Sequence, residues 1–389
     1  MPIVICKLYQ PNKDLLAIVR DLEYNIGIIF EVVYMLSYIS AKEAAEKWNI
    51  SQRRVAILCA EERIKGAMMV GNMWIIPSTA EKPIDKRTIR YEKQKIVELK
   101  PFVKWVGGKG QLIEQLEKYI PADGEKVLTK YAEPFVGGGA LLFNILSKYN
   151  FESLYISDIN EELINAYNVV KNKVDELVNK LTEMQLAFLP MDENGRKYYY
   201  YTARDRFNSL QITEETAVEK ASLFIFLNKT CFNGLYRVNK KGQFNVPMGA
   251  YKNPTICDEN NLRNVSEALQ NVTIVCGDYT LSKDFIDKDT FVYLDPPYRP
   301  ISETAGFTAY NADCFDDNEQ IRLARFIDEI NLSGAKIMLS NSDPQNVNPE
   351  DTFFEELYKS YTINKVEATR AINSKGDSRG KIKELLICN

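Results

Sequence analysis

From about residue 101 to the C-terminus, short apolar segments alternate with longer segments of helical periodicity. The predicted strands are Lys130–Phe135, Leu154–Asp158, Val272–Cys276, Phe291–Asp295 and Ala335–Ser340. Predicted helices between or after them include Ala140–Lys148, Glu161–Leu181 and Asn318–Asn331. Alternation of this kind favours parallel pairing, because each helical crossover returns the chain to the same end of the sheet. The pattern therefore predicts a doubly wound α/β domain with a mostly parallel sheet.

The composition excludes several classes of catalytic site. The chain of 389 residues contains no histidine, so it has no Ser-His-Asp triad, no His-ligated zinc and no histidine base. Its seven cysteines form no CxxC pair, which indicates a reducing, intracellular compartment. Because the formal net charge is −4, a nucleic-acid partner has to be held by a local basic patch. We expect no metal site.

The longest apolar stretch is Ile26–Ile39, and Glu31 interrupts it. It is shorter than the roughly 20 residues that cross a bilayer, and no signal-peptide cleavage pattern follows it. We interpret it as a core segment, and we expect a cytoplasmic protein of a prokaryote or phage that does not contact a membrane.

Residues 37–76 have the pattern of two short helices followed by a β-hairpin. A capping box at Ser40 starts the first helix, and Ser51 is the N-cap of the second. In a winged helix-turn-helix the second helix enters the major groove, and here it presents Arg53 and Arg54. The segment resembles the helix-turn-helix modules of excisionase and MerR-type proteins. A small helical packing domain is the alternative interpretation.

Charge separates this part of the chain from the rest. Residues 1–95 hold 15 Lys+Arg and 11 Asp+Glu, a balance of +4 that favours contact with nucleic acid. We divide the chain into an unassigned segment 1–36, the helix-turn-helix domain, a charged linker at 77–100 and the α/β domain at 101–389.

The ends of the first two predicted strands indicate a nucleotide-like ligand. After Glu133 and Phe135, the glycines 137–139 let the backbone turn tightly and approach a ligand. Asp158 ends the next strand, where a carboxylate can accept hydrogen bonds from both hydroxyls of a ribose. Each feature alone fits a plain βα turn or a helix N-cap. Together they favour an adenosyl ligand.

The segment Asp295-Pro296-Pro297-Tyr298 follows an apolar strand. Two prolines cannot continue a strand, so they hold a rigid turn at its C-terminal end, where open α/β sheets bind ligands. This turn suits a planar amino group on an aromatic ring. Asp295 and the Pro296 carbonyl can accept hydrogen bonds from the N–H groups of that amino group, and Tyr298 can stack on the ring. A purely structural turn is the alternative.

Two other segments carry candidate binding residues. In KWVGGK, Trp105 offers a stacking surface and Lys109 a charge able to reach the Gly-rich turn; a solvated loop is the alternative. Residues 224–254 hold five basic and no acidic residues, with interleaved aromatic and asparagine side chains. Arg and Asn suit the edges of guanine and adenine. A solvated charge run usually carries both signs, so this segment predicts nucleic-acid binding.

The chain contains, in this order, the motifs KWVGGK, EPFVGGGALLFN, SDIN, FNGLYRVNKKGQFNVP, DPPY and FTAYN at Phe307–Asn311. In these motifs it resembles the Dam-type DNA adenine-N6 methyltransferases of the alpha class, from about Lys104 to the C-terminus. The resemblance implies a Rossmann-like S-adenosylmethionine-dependent methyltransferase sheet with a DNA-recognition insertion at about 180–265. It also implies methyl transfer to a flipped-out adenine of duplex DNA, with GATC as the target. The N-terminal helix-turn-helix is an addition to this plan.

The resemblance assigns roles to individual residues. The expected cofactor contacts are Trp105, Lys109, Glu133, Phe135, Gly137, Gly139, Asp158, Asp278 and Asp295. The expected catalytic residues are Asp295, Pro296, Pro297 and Tyr298. The expected DNA contacts are Lys104, Phe232, Asn233, Leu235, Arg237, Lys240, Lys241 and Lys252, besides Arg53 and Arg54. The chain departs from the family's pattern at Phe232, where Tyr is frequent, and at Ala250, where Arg is frequent.

The predicted partners are double-stranded DNA and a cognate restriction endonuclease of the same site. One alternative is a DNA-binding regulator that retains a methyltransferase shell, although Asp158 and the DPPY motif are intact. Another is an enzyme for a different amino group. Protein-glutamine enzymes typically carry Asn in place of Asp295, and an RNA enzyme has no need of the duplex-reading FNGLYR segment.

Overall fold

The computed structural model describes residues 38–48, 50–61, 63–80, 82, 98–105, 107, 109–121, 128–299, 315–369 and 381–389. Segment 1–36, most of the linker 77–100 and the FTAYN motif lie outside the described residues. The chain divides into two compact units, Met1–Ile89 and Arg90–Asn389. In the part of the chain that is described, no helix is long and apolar enough to cross a membrane.

The described residues of the first unit form two helices and a three-stranded antiparallel sheet. Its elements are β1 (Tyr38–Ser40), α1 (Ala41–Trp48), α2 (Gln52–Ala60), β2 (Met68–Val70) and β3 (Met73–Pro77), with β3 in the middle of the sheet. The capping box forms as predicted: Ser40 N donates to Glu43 Oε2 at 2.8 Å, and Glu43 N donates to Ser40 Oγ at 3.2 Å. The Ser51 Oγ caps α2. The sequence did not predict β1, which extends the hairpin to a third strand.

The second unit, in the residues that the structure describes, has helices around one sheet. Its helices are α3 (Ile113–Leu116), α4 (Ala140–Lys148), α5 (Glu161–Asn172), α6 (Val174–Phe188), α7 (Glu193–Ser209), α8 (Ala217–Thr230), α9 (Glu259–Ala268), α10 (Asp317–Leu332) and α11 (Phe353–Leu357). Its strands are β4 (Lys130–Glu133), β5 (Ser153–Asp158), β6 (Val272–Cys276), β7 (Thr290–Leu294), β8 (Lys336–Ser342), β9 (Thr362–Thr369) and β10 (Lys381–Cys388).

The strand order of this sheet is β6-β5-β4-β7-β8-β10-β9. The pairs from β6 to β8 are parallel, and β10 pairs antiparallel with both β8 and β9. The chain places β5 and β6 on one side of β4 and then β7 and β8 on the other. The order therefore reverses between β4 and β7, which is where open α/β sheets form a ligand crevice.

Alternating strand residues face two apolar layers. On β7, Phe291 and Tyr293 pack in one buried cluster with residues of α4, α5 and α8, while Val292 and Leu294 pack in another with residues of α10. This alternation is the expected period of two along a strand. The predicted α/β class is confirmed, with helices on both faces of a mostly parallel sheet.

One expectation about an individual element was wrong, and two strands were not predicted. The predicted helix Glu161–Leu181 is two helices, α5 and α6, because Lys173 has non-helical angles of φ −137° and ψ 38°. No Gly or Pro marks this break, so tertiary packing overrides a continuous local periodicity. The antiparallel strands β9 and β10 were not predicted either.

Candidate active site

The backbone after β4 makes the turn that the glycines predict. Gly137 and Gly139 have positive φ angles of 47° and 73°, which side chains other than glycine rarely tolerate. A Cβ atom at Gly137 would lie 2.8 Å from the Trp105 indole, and one at Gly139 would lie 2.5 Å from the Tyr167 hydroxyl oxygen. The backbone of the turn therefore packs directly against Trp105 and Tyr167, with no room for a side chain at either glycine.

Asp158 ends β5 beside this turn. Its Oδ2 accepts a hydrogen bond from Gly137 N at 3.0 Å, and its Oδ1 accepts one from Asn160 N at 3.0 Å. Burial raises the pKa of Asp158, and these backbone donors oppose the shift. The N-cap of α5 is Asn160, whose Oδ1 accepts from Leu163 N at 2.8 Å. The carboxylate of Asp158 has about four acceptor sites, so it retains capacity to accept from a ligand hydroxyl.

Glu133 is the last residue of β4 and is 2% exposed. Its Oε2 accepts a hydrogen bond from the Tyr131 hydroxyl at 2.6 Å. Burial raises the pKa of Glu133 to about 8; the Tyr131 hydrogen bond opposes this shift, and the charge of Asp295 adds to it. The carboxyl group of Glu133 is therefore mostly protonated at neutral pH.

Four side chains meet where β7 ends: Asp295, Tyr298, Lys109 and Glu384. The buried Lys109 Nζ lies 2.9 Å from Asp295 Oδ1 and 3.3 Å from Glu384 Oε2. It also donates to the Tyr298 hydroxyl and lies 4.3 Å from the centre of that ring. The Tyr298 hydroxyl donates to Glu384 Oε2 at 2.6 Å. We expected Lys109 to reach the Gly-rich turn, and the structure instead places its ammonium group on Asp295.

The charge state of Asp295 follows from this cluster. Burial raises the pKa of Asp295 to about 6, against the attraction of Lys109, and the charge of Glu384 raises it further. At neutral pH the carboxylate is ionised and can accept hydrogen bonds.

Two fully buried side-chain amides, those of Gln320 and Asn341, support the Pro-Pro turn through hydrogen bonds. Gln320 Nε2 donates to the Pro297 carbonyl at 3.3 Å, and Asn341 Nδ2 donates to Gln320 Oε1 at 3.1 Å. Pro296 itself is buried and Pro297 is exposed. The turn is thus anchored to α10 and β8, and its geometry does not depend on the prolines alone.

Asp278 is paired with an arginine, and Phe135 packs against a tyrosine ring. Asp278 accepts two hydrogen bonds from the Arg322 guanidinium, at 2.8 Å and 2.9 Å. Burial favours a higher pKa for Asp278, but Arg322 and the neighbouring hydroxyl and amide hold it below its usual value. The Phe135 ring lies 5.2 Å from the Tyr279 ring, centre to centre. Asp278 is therefore ionised and fixed in place by α10.

Lys104 and the loop after α8 are held together by Asn228. Its Oδ1 accepts from Lys104 N at 2.7 Å, and its Nδ2 donates to Lys104 O at 2.8 Å and to Gly234 O at 3.1 Å. Asn233 has a positive φ of 56°, and a Cβ atom at Gly234 would lie 2.5 Å from the Lys104 side chain. The Phe232 side chain is 52% exposed at this tight turn.

Arg237 opens a hairpin-like loop that carries the other predicted DNA contacts. Val238 and Phe244 form a β-bridge across it, and Arg237 Nε donates to Asn245 Oδ1 at 2.8 Å. Of the four further candidates, Lys240 and Lys241 are exposed within this loop, Leu235 precedes it and is half-buried, and Lys252 follows it in the chain and is exposed.

The remaining candidates lie in the first unit. On α2, Arg53 is exposed and Arg54 is half-buried. Within the described ranges, no group of three or more acidic or cysteine side chains is arranged to hold a metal ion.

Sequence reasoning missed several residues that shape the site: Asn228, Gln320, Arg322, Asn341 and Glu384. One signal was available, since Asn228 interrupts the apolar run FIFLNKT and a buried amide of that kind usually has a structural partner. The other four lie in segments without a motif.

The fold and the site together define an open, doubly wound α/β protein with polar side chains at the switch point between β4 and β7. Residues 105–372 match the D12 class N6 adenine-specific DNA methyltransferase family. The chain is 52% identical over 295 residues to the Type II methyltransferase M.MjaIII of Methanocaldococcus jannaschii, a match that covers 75% of this chain and 100% of that protein.

Two further relatives agree. The chain is 39% identical over 300 residues to the Type II methyltransferase M1.LlaDCHI of Lactococcus lactis subsp. cremoris, covering 77% of this chain and 98% of that one. It is 36% identical over 285 residues to the DNA adenine methylase of Salmonella typhi, covering 73% and 93%. The chain belongs to the D12 class N6 adenine-specific DNA methyltransferase family. It is an adenine-specific DNA methyltransferase, as the resemblance predicted, and the family implies a cofactor of the S-adenosylmethionine type.

Proposed function

We propose that this protein transfers a methyl group from S-adenosylmethionine to N6 of adenine in GATC, after that adenine has been flipped out of double-stranded DNA. One observation carries the proposal. The Asp295–Tyr298 turn, with its buried lysine, lies at the same end of the sheet as the Gly-rich turn and Asp158. An acceptor for an amino group and a cradle for an adenosyl ligand therefore share one crevice.

The residues around the Gly-rich turn suit S-adenosylmethionine. Gly137 and Gly139 pack against protein side chains and give the tight positive-φ turn after β4 that a bound ligand can approach. Asp158 retains acceptor capacity for ribose hydroxyls. We assign Trp105, Lys109, Glu133, Phe135 and Asp278 to the same site by family analogy. When bound, S-adenosylmethionine supplies an electrophilic methyl group.

The Asp295–Tyr298 turn activates and positions adenine. The adenine amino nitrogen is a poor nucleophile, because its lone pair is delocalised into the ring. The Asp295 carboxylate and the Pro296 carbonyl accept hydrogen bonds from its two N–H groups and draw the lone pair out of conjugation. Tyr298 stacks on the ring, and the fixed geometry supplies much of the rate. No histidine takes part, since the chain has none.

Access to the amino group requires base flipping, which costs a few kcal/mol for a stacked base. The exposed Phe232 ring at the tight turn fits a stacking role at the gap in the duplex. Lys104, Asn233, Leu235 and Arg237 are the proposed contacts to GATC, on the match of their segment to the family's motif.

Phosphate affinity has a second proposed source. Ala250 lacks the arginine that is frequent in the family, while Lys240, Lys241 and Lys252 are exposed. We assign additional DNA affinity to Arg53 and Arg54 of the first unit. A cognate restriction endonuclease that cuts the same site is the proposed protein partner.

The experiment is methyl transfer from labelled S-adenosylmethionine to unmethylated duplex DNA, with N6-methyladenine mapped by sequencing. We expect label at GATC in the wild-type protein and none in Asp295→Ala, which should still bind DNA. Label at another adenine site would refute the GATC assignment and keep the chemistry. Binding of both DNA and cofactor without any label would favour the regulator that retains a methyltransferase shell.

A further inference from the structure

Glu384 lies on β10, the antiparallel strand that follows the sequence motifs of the family. In the sheet it stands opposite Ser342 of β8. Along β10, Leu386 packs in the same apolar cluster as Leu112 and Leu116, whereas Leu385 packs in the cluster on the other face. Side chains alternate along a strand, so Glu384 shares the face of Leu386. Leu112 packs on this same face, and Lys109 comes three residues before Leu112 in the chain.

The Glu384 carboxylate is 13% exposed and has two partners in the adenine site. Its Oε2 accepts from the Tyr298 hydroxyl at 2.6 Å and lies 3.3 Å from Lys109 Nζ. Lys109 is 2.9 Å from Asp295 on its other side. The Lys109 ammonium group is therefore shared between the carboxylates of Asp295 and Glu384. The Tyr298 hydroxyl is hydrogen-bonded to Glu384, the carboxylate that lies farther from Lys109.

We propose that Glu384 is a positioning residue for the adenine site: it orients the Tyr298 ring through its hydroxyl and holds Lys109 between itself and Asp295. A tyrosine that stacks on a flipped base needs a fixed ring plane, and a hydrogen bond at the far end of the ring fixes that plane. The inference rests on the proposed function and deepens it.

The charges around Asp295 give the role a distinctive pH signature. The groups that face Asp295 are Lys109, Glu384 and Tyr298, together with the buried Glu133 and Tyr293. Replacing Glu384 by glutamine removes one like charge and leaves Lys109 to pair with Asp295 alone. Both changes favour the ionised form of Asp295, so the acid limb of the rate profile should move to lower pH.

The test compares Glu384→Gln with the wild-type protein in single-turnover methylation of a duplex substrate. We expect the rate of methyl transfer to fall about tenfold to a hundredfold, as misplacement of a stacking group can cost. The dissociation constant for S-adenosylmethionine should stay unchanged, and the acid limb should shift as described. Glu350→Gln, an exposed glutamate of the same unit, is the matched control.

A double-mutant cycle with Tyr298→Phe tests the route of the effect. If Glu384 acts through the tyrosine hydroxyl, the double variant loses less than the product of the two single losses. A Glu384→Gln protein with wild-type rate overturns the inference. So does a slow variant that is thermally destabilised but keeps the wild-type acid limb, because that result indicates a merely structural role.

The proposed function and this inference fail in different ways. If the wild-type protein methylates no adenine, the proposed function fails. The role of Glu384 is then decided by the fluorescence of DNA with 2-aminopurine at the target position, which reports the environment of a flipped base. We expect Glu384→Gln to change the signal of the bound 2-aminopurine, and an identical signal in both proteins overturns the inference.

Discussion

Two carboxyl groups at the ends of neighbouring strands differ in charge because their surroundings differ. Asp295 follows β7 and has Lys109 within 2.9 Å, so its pKa of about 6 leaves it ionised at neutral pH. Glu133 ends β4, is fully buried beside a tyrosine hydroxyl, and has a pKa of about 8. Separation of two pKa values by environment gives two acids of one site different roles. At neutral pH Asp295 is a charged acceptor of hydrogen bonds, and Glu133 is a neutral carboxylic acid.

The first prediction at this scale concerns Asp295. We expect kcat/KM for methylation to fall as the pH decreases through about 6, because protonation removes the charge from Asp295, the proposed acceptor of the adenine amino group. Initial rates from about pH 5 to 9 measure this directly. A profile that stays flat on the acid side would show that the charge of Asp295 is not needed.

The second prediction concerns stability and Glu133. The pKa of Glu133 rises from its ordinary 4.5 to about 8 in the folded protein. Above 4.5 the unfolded chain loses this proton while the folded protein keeps it, so the stability present at low pH is lost as the pH rises to about 8. Glu133→Gln removes this dependence. We expect its free energy of unfolding, relative to wild type, to rise by on the order of 3 kcal/mol across that range.

Urea unfolding of both proteins at the two ends of this pH range checks the prediction. Glu267→Gln, an exposed helical glutamate on α9 that lies outside the cluster, is the control and should show no such trend. A constant difference between wild type and Glu133→Gln at both pH values would mean that Glu133 is already ionised in the fold.

At the scale of elements, α8 connects the two segments that are predicted to contact DNA. Asn228 in its last turn makes three hydrogen bonds to the backbone of Lys104 and Gly234. The loop after α8 contains a residue with positive φ, Asn233, and it packs on the Lys104 side chain at Gly234. The helix therefore fixes the position of Lys104 relative to the turn that presents Phe232.

We expect Asn228→Ala to weaken DNA binding about tenfold, because Lys104 and the Phe232 turn lose their common anchor. Stability should fall by about 1–3 kcal/mol, the cost of leaving buried backbone groups unpaired. Affinity for S-adenosylmethionine should be unchanged in calorimetry. Asn172→Ala is the matched control, since its exposed amide bonds only the carbonyl of Asn168 one helical turn earlier. Equal DNA affinity in wild type and Asn228→Ala would contradict the anchor.

At the scale of the whole molecule, this chain is longer than the three relatives named above. The match to M.MjaIII covers all of that protein and 75% of this chain. The unit Met1–Ile89 lies outside residues 105–372, which the family matches. The two-helix pattern and hairpin predicted for it are confirmed as structure, and its DNA-binding role stays a prediction.

We expect Arg53→Ala to weaken DNA affinity of the full-length protein and to lower the slope of log affinity against log salt by about 1, as for the loss of one phosphate contact. The methylation rate at saturating DNA should not change, because the first unit carries no catalytic group in our assignment. Lys65→Ala, also exposed but outside α2, is the matched control. An unchanged salt slope in Arg53→Ala would refute groove contact by α2.

The sequence by itself determined the class of fold and most of the site's components. Five strands were predicted from short apolar segments, and all five form within two residues of the predicted ends. The Gly-rich turn, Asp158 and the Asp295–Tyr298 turn follow strands that were recognised, so their place at one end of a parallel sheet could be deduced. These features are local, because strand ends, turns and caps depend on residues close in the chain.

Only the tertiary structure decided how those components meet. Lys109 was expected at the Gly-rich turn and lies on Asp295, and Glu384 was not considered at all. The break at Lys173 and the antiparallel course of β10 likewise left no mark in local periodicity. For Lys109 and Glu384 the physical reason is electrostatic. A buried charge pairs with whichever opposite charge the fold brings within reach. For Lys109 these partners are Asp295 and Glu384, which are 186 and 275 residues away in sequence.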